Sequence, residues 1–156
     1  MRSVWWCNQS ECWDDEYPLR LVCAPEIGKP VADTYHHTVG KVNVGDVAVH
    51  YRYGSGIVAV SQAITSVTHG PVPIPPGREC WQKPSNGWYY RAEYALLEPP
   101  LPKIAFIGKL AEFTLISGRG PVIKGNNIRE GYFMQFCEDG LSVLRRMSLP
   151  DWPSWA

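Results

Sequence analysis

The residues of this chain that could do chemistry are aromatic rather than nucleophilic. Trp5 and Trp6 stand side by side just before Asn8. On a strand they face opposite ways, one into the core and the other onto an open surface or pocket. Asn8 is a side chain suited to hydrogen-bonding the edge of a base. Trp81 lies beside Gln82, Lys83, Ser85 and Asn86, where burial in a core is hard to arrange. A pocket walled by Trp faces, with one amide at its end, suits a flat heterocycle or a methylated group. Each base stacked on an aromatic gains about 1–3 kcal/mol, so two walls supply most of the few kcal/mol, roughly, that a base loses on leaving its stack.

Conventional catalytic signatures are absent: there is no Gly-x-Ser-x-Gly elbow, Walker loop, His-Glu-x-x-His or Rossmann glycine fingerprint. Gly54-Ser55-Gly56 sits at a hairpin tip with no helix behind it, which argues against phosphate cradling. Asp14-Asp15-Glu16 reads as a solvated acidic run, so neither a metal nor a cofactor is expected. His36 and His37 are adjacent and on a helix point roughly 100° apart, which suits one of them facing a pocket better than both chelating. The five cysteines, Cys7, Cys12, Cys23, Cys80 and Cys137, are odd in number and contain no C-x-x-C pair. That pattern speaks against a zinc site and predicts reduced thiols in a cytoplasmic protein. The first residues are too polar for a signal peptide, and no run approaches the roughly 18 apolar residues of a membrane span.

Elements must hold these side chains. Val4 to Cys7 reads as a first strand, followed by a polar, acidic loop from Gln9 to Pro18 that contains Trp13. Leu19 to Ala24 is a second strand, and residues 25–34 are linker. Asp33 or Thr34 caps a short helix carrying Tyr35, His36, His37 and Val39. Val47 to Tyr51 and Gly56 to Val67 form a hairpin. Residues 68–87 are a proline-rich loop long enough to be functional. Trp88 to Leu97 is the third central strand, ended by Pro99, Pro100 and Pro102. Ile104 to Phe113 is a short helix or turn, Phe113 to Ser117 is strand-like, and 118–131 is a Gly/Asn-rich loop. Tyr132 to Phe136 is a last strand, and Glu138 to Met147 a helix with Leu141, Leu144 and Met147 on one stripe. Residues 1–148 make one domain, with 149–156 as a terminal extension.

The 14 Gly and 14 Pro argue against a helix bundle. The reading is α+β but mostly β, and a small bent or closed sheet is the economical way to hide strand edges. The charge balance, 15 Lys and Arg against 15 Asp and Glu, leaves no global field toward polyanions. Any nucleic-acid contact must therefore come from a local patch.

The order of motifs resembles a known family. It runs Trp5-Trp6-Cys7-Asn8, His36-His37-Thr38, Val44-Gly45-Asp46-x-x-x-His50-Tyr51 and Ile57 to Ala63. Trp81, Gly87 to Tyr94 and Gly125 to Phe133 follow. This is similar to the EVE domain of the PUA superfamily, kin of YTH and ASCH domains and found as the recognition module of modification-dependent restriction systems. The resemblance runs from about Val4 to Arg146, and its most specific part joins Gly45-Asp46 and His50-Tyr51 to Gly131-Tyr132. It implies a small bent PUA-like β-barrel flanked by short helices, with an aromatic cage for a modified base. By position the cage maps to Trp6, Asn8, Tyr35, His36, His37, Tyr51 and Trp81. The sequence departs from YTH in having no Trp in the segment around His36, where Trp13, Tyr51 or Trp88 would have to substitute. Arg52, Lys83, Arg119 and Lys124, with Arg91 and Arg129, are the candidates for gripping the backbone.

The function implied is a non-enzymatic reader that flips a methylated or hydroxymethylated cytosine, or a methyladenine, out of DNA. The partner is then modified DNA, with a downstream nuclease or AAA+ motor for restriction and no membrane. The alternatives are an RNA-binding PUA-like module, or an ASCH-type hydrolase of modified nucleosides using Lys41, Thr38 and Glu93.

Overall fold

The computed structural model describes residues 1–10, 12–26, 36–74, 86–117, 120–147 and 152–156. Its first strand, β1 (Val4–Asn8), is apolar on both faces and lies inside the sheet rather than at its edge. It pairs parallel with β3 (Val47–Arg52), Val4 opposite Val47 and Asn8 opposite Tyr51, and antiparallel with β9 (Phe133–Gln135). A parallel pair needs a long crossover. Here it carries α1 (Trp13–Glu16), β2 (Leu21–Pro25) and a 3-10 helix (His36–Lys41). The acidic run expected to be loop thus contains a helical turn.

The hairpin is present as β3 and β4 (Gly56–Ala63), the second strand stopping short of the expected Val67. β4 then pairs with the C-terminal part of β6 (Asn86–Leu101). Farther along, β5 (Thr68–Pro71) takes over the same side of β6, and β2 covers its other side. One 16-residue strand therefore belongs to both halves of a seven-stranded sheet, six strands ordered β2-β6-β4-β3-β1-β9 with β5 paired to β6 off that path, and the sheet curls into a half-barrel.

Two expectations about this region fail. The stretch read as loop contains β5, and Pro99 and Pro100 do not end the third central strand, which continues to Leu101. The prolines fall where the β4–β6 register slips between the Ile57–Leu101 and Ala59–Leu96 pairs. At such an irregularity no ladder N–H is required of them. Two glycines make the close approaches possible. A Cβ on Gly56, whose φ is +95°, would overlap the Leu101 carbonyl, and one on Gly87 would overlap the Ala24 carbonyl.

After β6 the chain forms α2 (Lys103–Ser117), so Phe113 to Ser117 is helical rather than strand-like. Phe106, Ile107 and Leu110 bury one side of that helix, and this burial overrides the local β-branched preference. A two-stranded ribbon, β7 (Val122–Ile123) and β8 (Asn127–Ile128), interrupts the Gly/Asn-rich segment. The helix predicted over 138–147 is α3 (Glu138–Met147) with Leu141 and Leu144 buried.

Strand alternation sorts the core into two clusters. Val4, Trp6, Val49 and Tyr51 face α2, α3 and the buried Trp152 and Ala156. Trp5, Cys7 and Ala48 face the concave interior with Val39, Val42, Tyr90, Tyr94 and Phe133. Trp5 and Trp6 do point opposite ways. Neither meets an open surface, however, because both faces of β1 are covered: Trp5 is 5% and Trp6 0% exposed.

Candidate functional site

A connected polar network crosses the apolar interior at the C-terminal end of β1. β1 delivers Asn8 and, one residue later, Gln9; β3 delivers His50, β4 Ser61, β6 Tyr94, α1 Glu16 and the approach to β9 Tyr132. His50 Nδ1 lies 2.6 Å from Gln9 Oε1, and its Nε2 lies 2.7 Å from Ser61 Oγ. Gln9 Nε2 donates to Glu16 Oε2 and, at 3.3 Å, to the Tyr94 hydroxyl, which donates to the Leu21 carbonyl at 2.8 Å. Tyr132 donates its hydroxyl to the same Glu16 Oε2 at 2.7 Å.

Burial fixes the protonation states. His50 is pushed down to about 3 by desolvation and is a neutral imidazole. Because Gln9 presents its carbonyl oxygen, the hydrogen sits on Nδ1 and Nε2 accepts from Ser61. Glu16 is pushed up to about 8, chiefly by burial, against the favourable hydrogen bonds of Tyr132 and Gln9. Its second oxygen, Oε1, is buried and makes no hydrogen bond of ordinary geometry among the described residues. The Cys23 backbone also favours the ionised form, after Tyr132 and Gln9. Cys7, Tyr90, Tyr94 and Tyr132 are all raised by the same burial and carry no charge to help.

Aromatic rings close one side of this network. Trp13 stands edge-on to His50 and Tyr94, with centroids 6.2 and 6.0 Å away. Tyr17 stacks on Trp13 at 4.7 Å and 6° between planes, and the Arg20 guanidinium lies 4.8 Å over Tyr17. Arg52 pairs with Asp14 at 3.2 Å on the surface beside them.

The residues expected to form a cage are distributed differently. Trp6, Asn8 and Tyr51 do meet. Trp6 stacks on Tyr51 at 5.8 Å and donates its indole N–H to Asn8 Oδ1 at 2.8 Å. Phe106 and Phe136 cover the rest of that indole, so Trp6 has no free face for a base; this corrects its expected place in a cage wall. Asn8 Nδ2 donates to the Arg129 and Gly131 carbonyls at 2.8 and 2.6 Å, which spends both amide protons on the chain itself. His37 is exposed on the 3-10 helix. Tyr35, Trp81, Lys83 and Arg119 lie outside the described residues, as does the side chain of His36. Lys124 is exposed at the tip of the β7–β8 ribbon, and Arg129 at its base donates to the Gly120 carbonyl at 3.1 Å. Trp88 is half-buried and stacked on His69 at 5.2 Å.

Gly45-Asp46, one piece of the most specific part of the resemblance, has a tying role. Asp46 accepts from Ser3 N at 2.7 Å, Asn43 N at 2.9 Å and Trp5 Nε1 at 3.1 Å, joining the starts of β1 and β3. Sequence reasoning missed Gln9, Glu16, Tyr94 and Tyr132. One signal was available: Trp13 and Glu16 are three residues apart, so a single helical turn puts both on one face. The expectation of reduced thiols holds at Cys7, Cys23 and Cys137 and fails at Cys12, which is disulfide-bonded. Among the described residues no three His, Cys, Asp or Glu side chains gather as metal ligands, and no helix is long and apolar enough to cross a membrane.

No family model and no curated protein matches this sequence. Solved structures do match in three dimensions. Human THYN1, in complex with 5-methylcytosine-containing DNA, aligns with a TM-score of 0.57 at 10% identity, covering 96% of this chain and 99% of that one. A Pseudomonas putida protein aligns with a TM-score of 0.56 at 11% identity, covering 93% and 99%. A Rhodopseudomonas palustris protein aligns with a TM-score of 0.54 at 15% identity, covering 96% of each chain. The mostly-β half-barrel with short helices shares the PUA-like fold of THYN1 over nearly the whole of both chains, the fold that the resemblance implied.

Proposed function

We propose that this chain, with its EVE/PUA-like fold, is a non-catalytic reader that binds DNA carrying a modified base. The observation that carries the reading is the end-to-end structural match to human THYN1 in complex with 5-methylcytosine-containing DNA. One feature of the chain supports it and a second constrains it. Aromatic rings and hydrogen-bonding groups converge around Gln9 and Glu16, the combination that receives a flipped base. The chain also has no net charge, so its affinity must come from a local site rather than a broad field. In this reading Trp81 and the Tyr35-His36-His37 segment complete an aromatic cage, Lys83, Arg119 and Lys124 grip the backbone, and the domain serves as the sensor of modification-dependent restriction.

The test is a titration with matched duplexes bearing 5-methylcytosine, 5-hydroxymethylcytosine, N6-methyladenine or no modification, and with the corresponding RNAs. Tighter binding of at least one modified DNA duplex than of its plain counterpart is expected. Equal affinity for every duplex removes the proposal, and preference for the RNAs replaces it with an RNA-binding role.

A further inference from the structure

Glu16 is a costly residue to keep where it is. A carboxyl that is fully buried, faces no cation among the described residues and leaves one oxygen without a hydrogen bond of ordinary geometry among them is destabilising compared with an apolar side chain of similar size. Such a group in a native protein calls for an explanation, and perturbed, incompletely satisfied groups concentrate at functional sites.

The hydrogen-bond pattern says what kind of partner is missing. Gln9 is oriented by His50: its carbonyl oxygen takes the Nδ1 hydrogen, so its amide hydrogens point to Glu16. Glu16 Oε2 therefore accepts from Gln9 and from the Tyr132 hydroxyl, and is the carbonyl-like oxygen of the acid. The proton of the neutral carboxyl falls to Oε1, where it is a buried O–H donor that no acceptor among the described residues receives. The missing partner is thus an acceptor.

We propose that Glu16 is the specificity residue of the base site: its Oε1–H donates to the unprotonated ring nitrogen of a flipped base, N3 of a cytosine or N1 of an adenine. Guanine and thymine carry a hydrogen at the corresponding ring nitrogen and would set donor against donor, so they are rejected. The inference rests on the reading above, that a modified base is bound, and adds which bases the site accepts. The Trp13–Tyr17 stack closes the network toward Arg20 and solvent, and Tyr17 is only half-buried. Cys12, the N-cap of α1, is disulfide-bonded and holds that turn in place, so a base enters by displacing the Trp13 and Tyr17 rings, with the surface ion pair Arg52–Asp14 beside them. A base that enters replaces one ring-on-ring contact with another.

The experiment compares wild type, Glu16→Gln and Glu16→Leu on duplexes containing 5-methylcytosine, N6-methyladenine or 5-hydroxymethyluracil, each against its unmodified duplex. The last retains the N3–H of thymine. Wild type is expected to prefer a modified cytosine or adenine and to show no preference for 5-hydroxymethyluracil. Glu16→Gln places an N–H donor where the acid has its O–H and should keep the preference within about threefold, whereas Glu16→Leu should lose it by about tenfold or more. A folded Glu16→Leu protein that keeps the preference overturns this inference and leaves the DNA-reader role standing, as does equal preference for 5-hydroxymethyluracil. A wild type that distinguishes no modified duplex removes both. Should Glu16→Leu fail to fold, infrared difference spectra of the wild type decide. The C=O stretch of the protonated acid, identified by its loss in Glu16→Gln, should shift when the preferred duplex is added. An unshifted band at saturation overturns the inference.

Discussion

Gln9 separates two buried titratable groups whose shifts oppose each other. Glu16, raised from 4.5 to about 8, holds a proton in the folded state that the unfolded chain releases. Its contribution to stability is full below pH 4.5 and is lost as pH rises through 8. His50, lowered from 6.5 to about 3, is neutral when folded and charged when unfolded in acid. Its contribution is present above pH 6.5 and is lost as pH falls through 3. Between pH 4.5 and 6.5 folding binds a proton at one group and releases one at the other, and the two slopes cancel. We expect urea-unfolding free energies to be level across that window and to fall on both sides, by up to about 1.4 kcal/mol per pH unit on the alkaline limb. Glu16→Gln should flatten the limb between pH 6.5 and 8 and, with nothing left to cancel His50, extend the acid limb up to pH 6.5; an unchanged alkaline slope would refute the assignment. None of this was legible in the sequence, where Glu16 reads as the last of three solvated acids. Burial is decided by where α1 docks, and no local pattern encodes that.

At the scale of elements, the sequence was most legible where pattern and burial agree. The β3–β4 hairpin alternates and turns on glycines, and α3 carries a clean apolar stripe, so both were placed from residue types alone. It was least legible where a tertiary contact overrules a local rule. Pro99 and Pro100 sit inside β6 because the register slips beside them, and the second half of α2 is helical because its first half is anchored by Phe106 and Leu110. Trp6 and Asn8 were expected at a pocket, and α2 and the segment before β9 come from far along the chain to cover them. Gly56 is the element-level test. Its positive φ and its approach to the Leu101 carbonyl each penalise a side chain. Gly56→Ala should therefore lower stability by at least about 2 kcal/mol. Chemical denaturation measures it, and a loss under about 0.5 kcal/mol, the range of an ordinary surface substitution, would show that β4 and β6 do not meet there as described.

For the whole molecule, neutrality at first argues against a polyanionic partner. The structure refines that, since several of the cations are already occupied: Arg2 by Glu138, Arg52 by Asp14 and Arg145 by the Ala156 carbonyl. Binding carried by one base site and a few phosphate contacts depends little on salt. We expect a slope of log K against log salt no steeper than about −3, from the roughly 0.9 per phosphate contact of duplex DNA. Lys124→Ala should make it shallower by about 1. A slope near −8 would indicate a broad electrostatic footprint and displace the aromatic site as the main source of affinity.

The position of β1 also governs how the chain reaches this state. Its two partners are β3, on the far side of a long crossover, and β9, near the other end of the chain. β1 is therefore fully paired only after β9 has joined it. During synthesis its Trp-Trp edge waits, unsatisfied and apolar, until β9 has emerged. Chains dominated by such distant pairings fold slowly and are exposed to aggregation meanwhile.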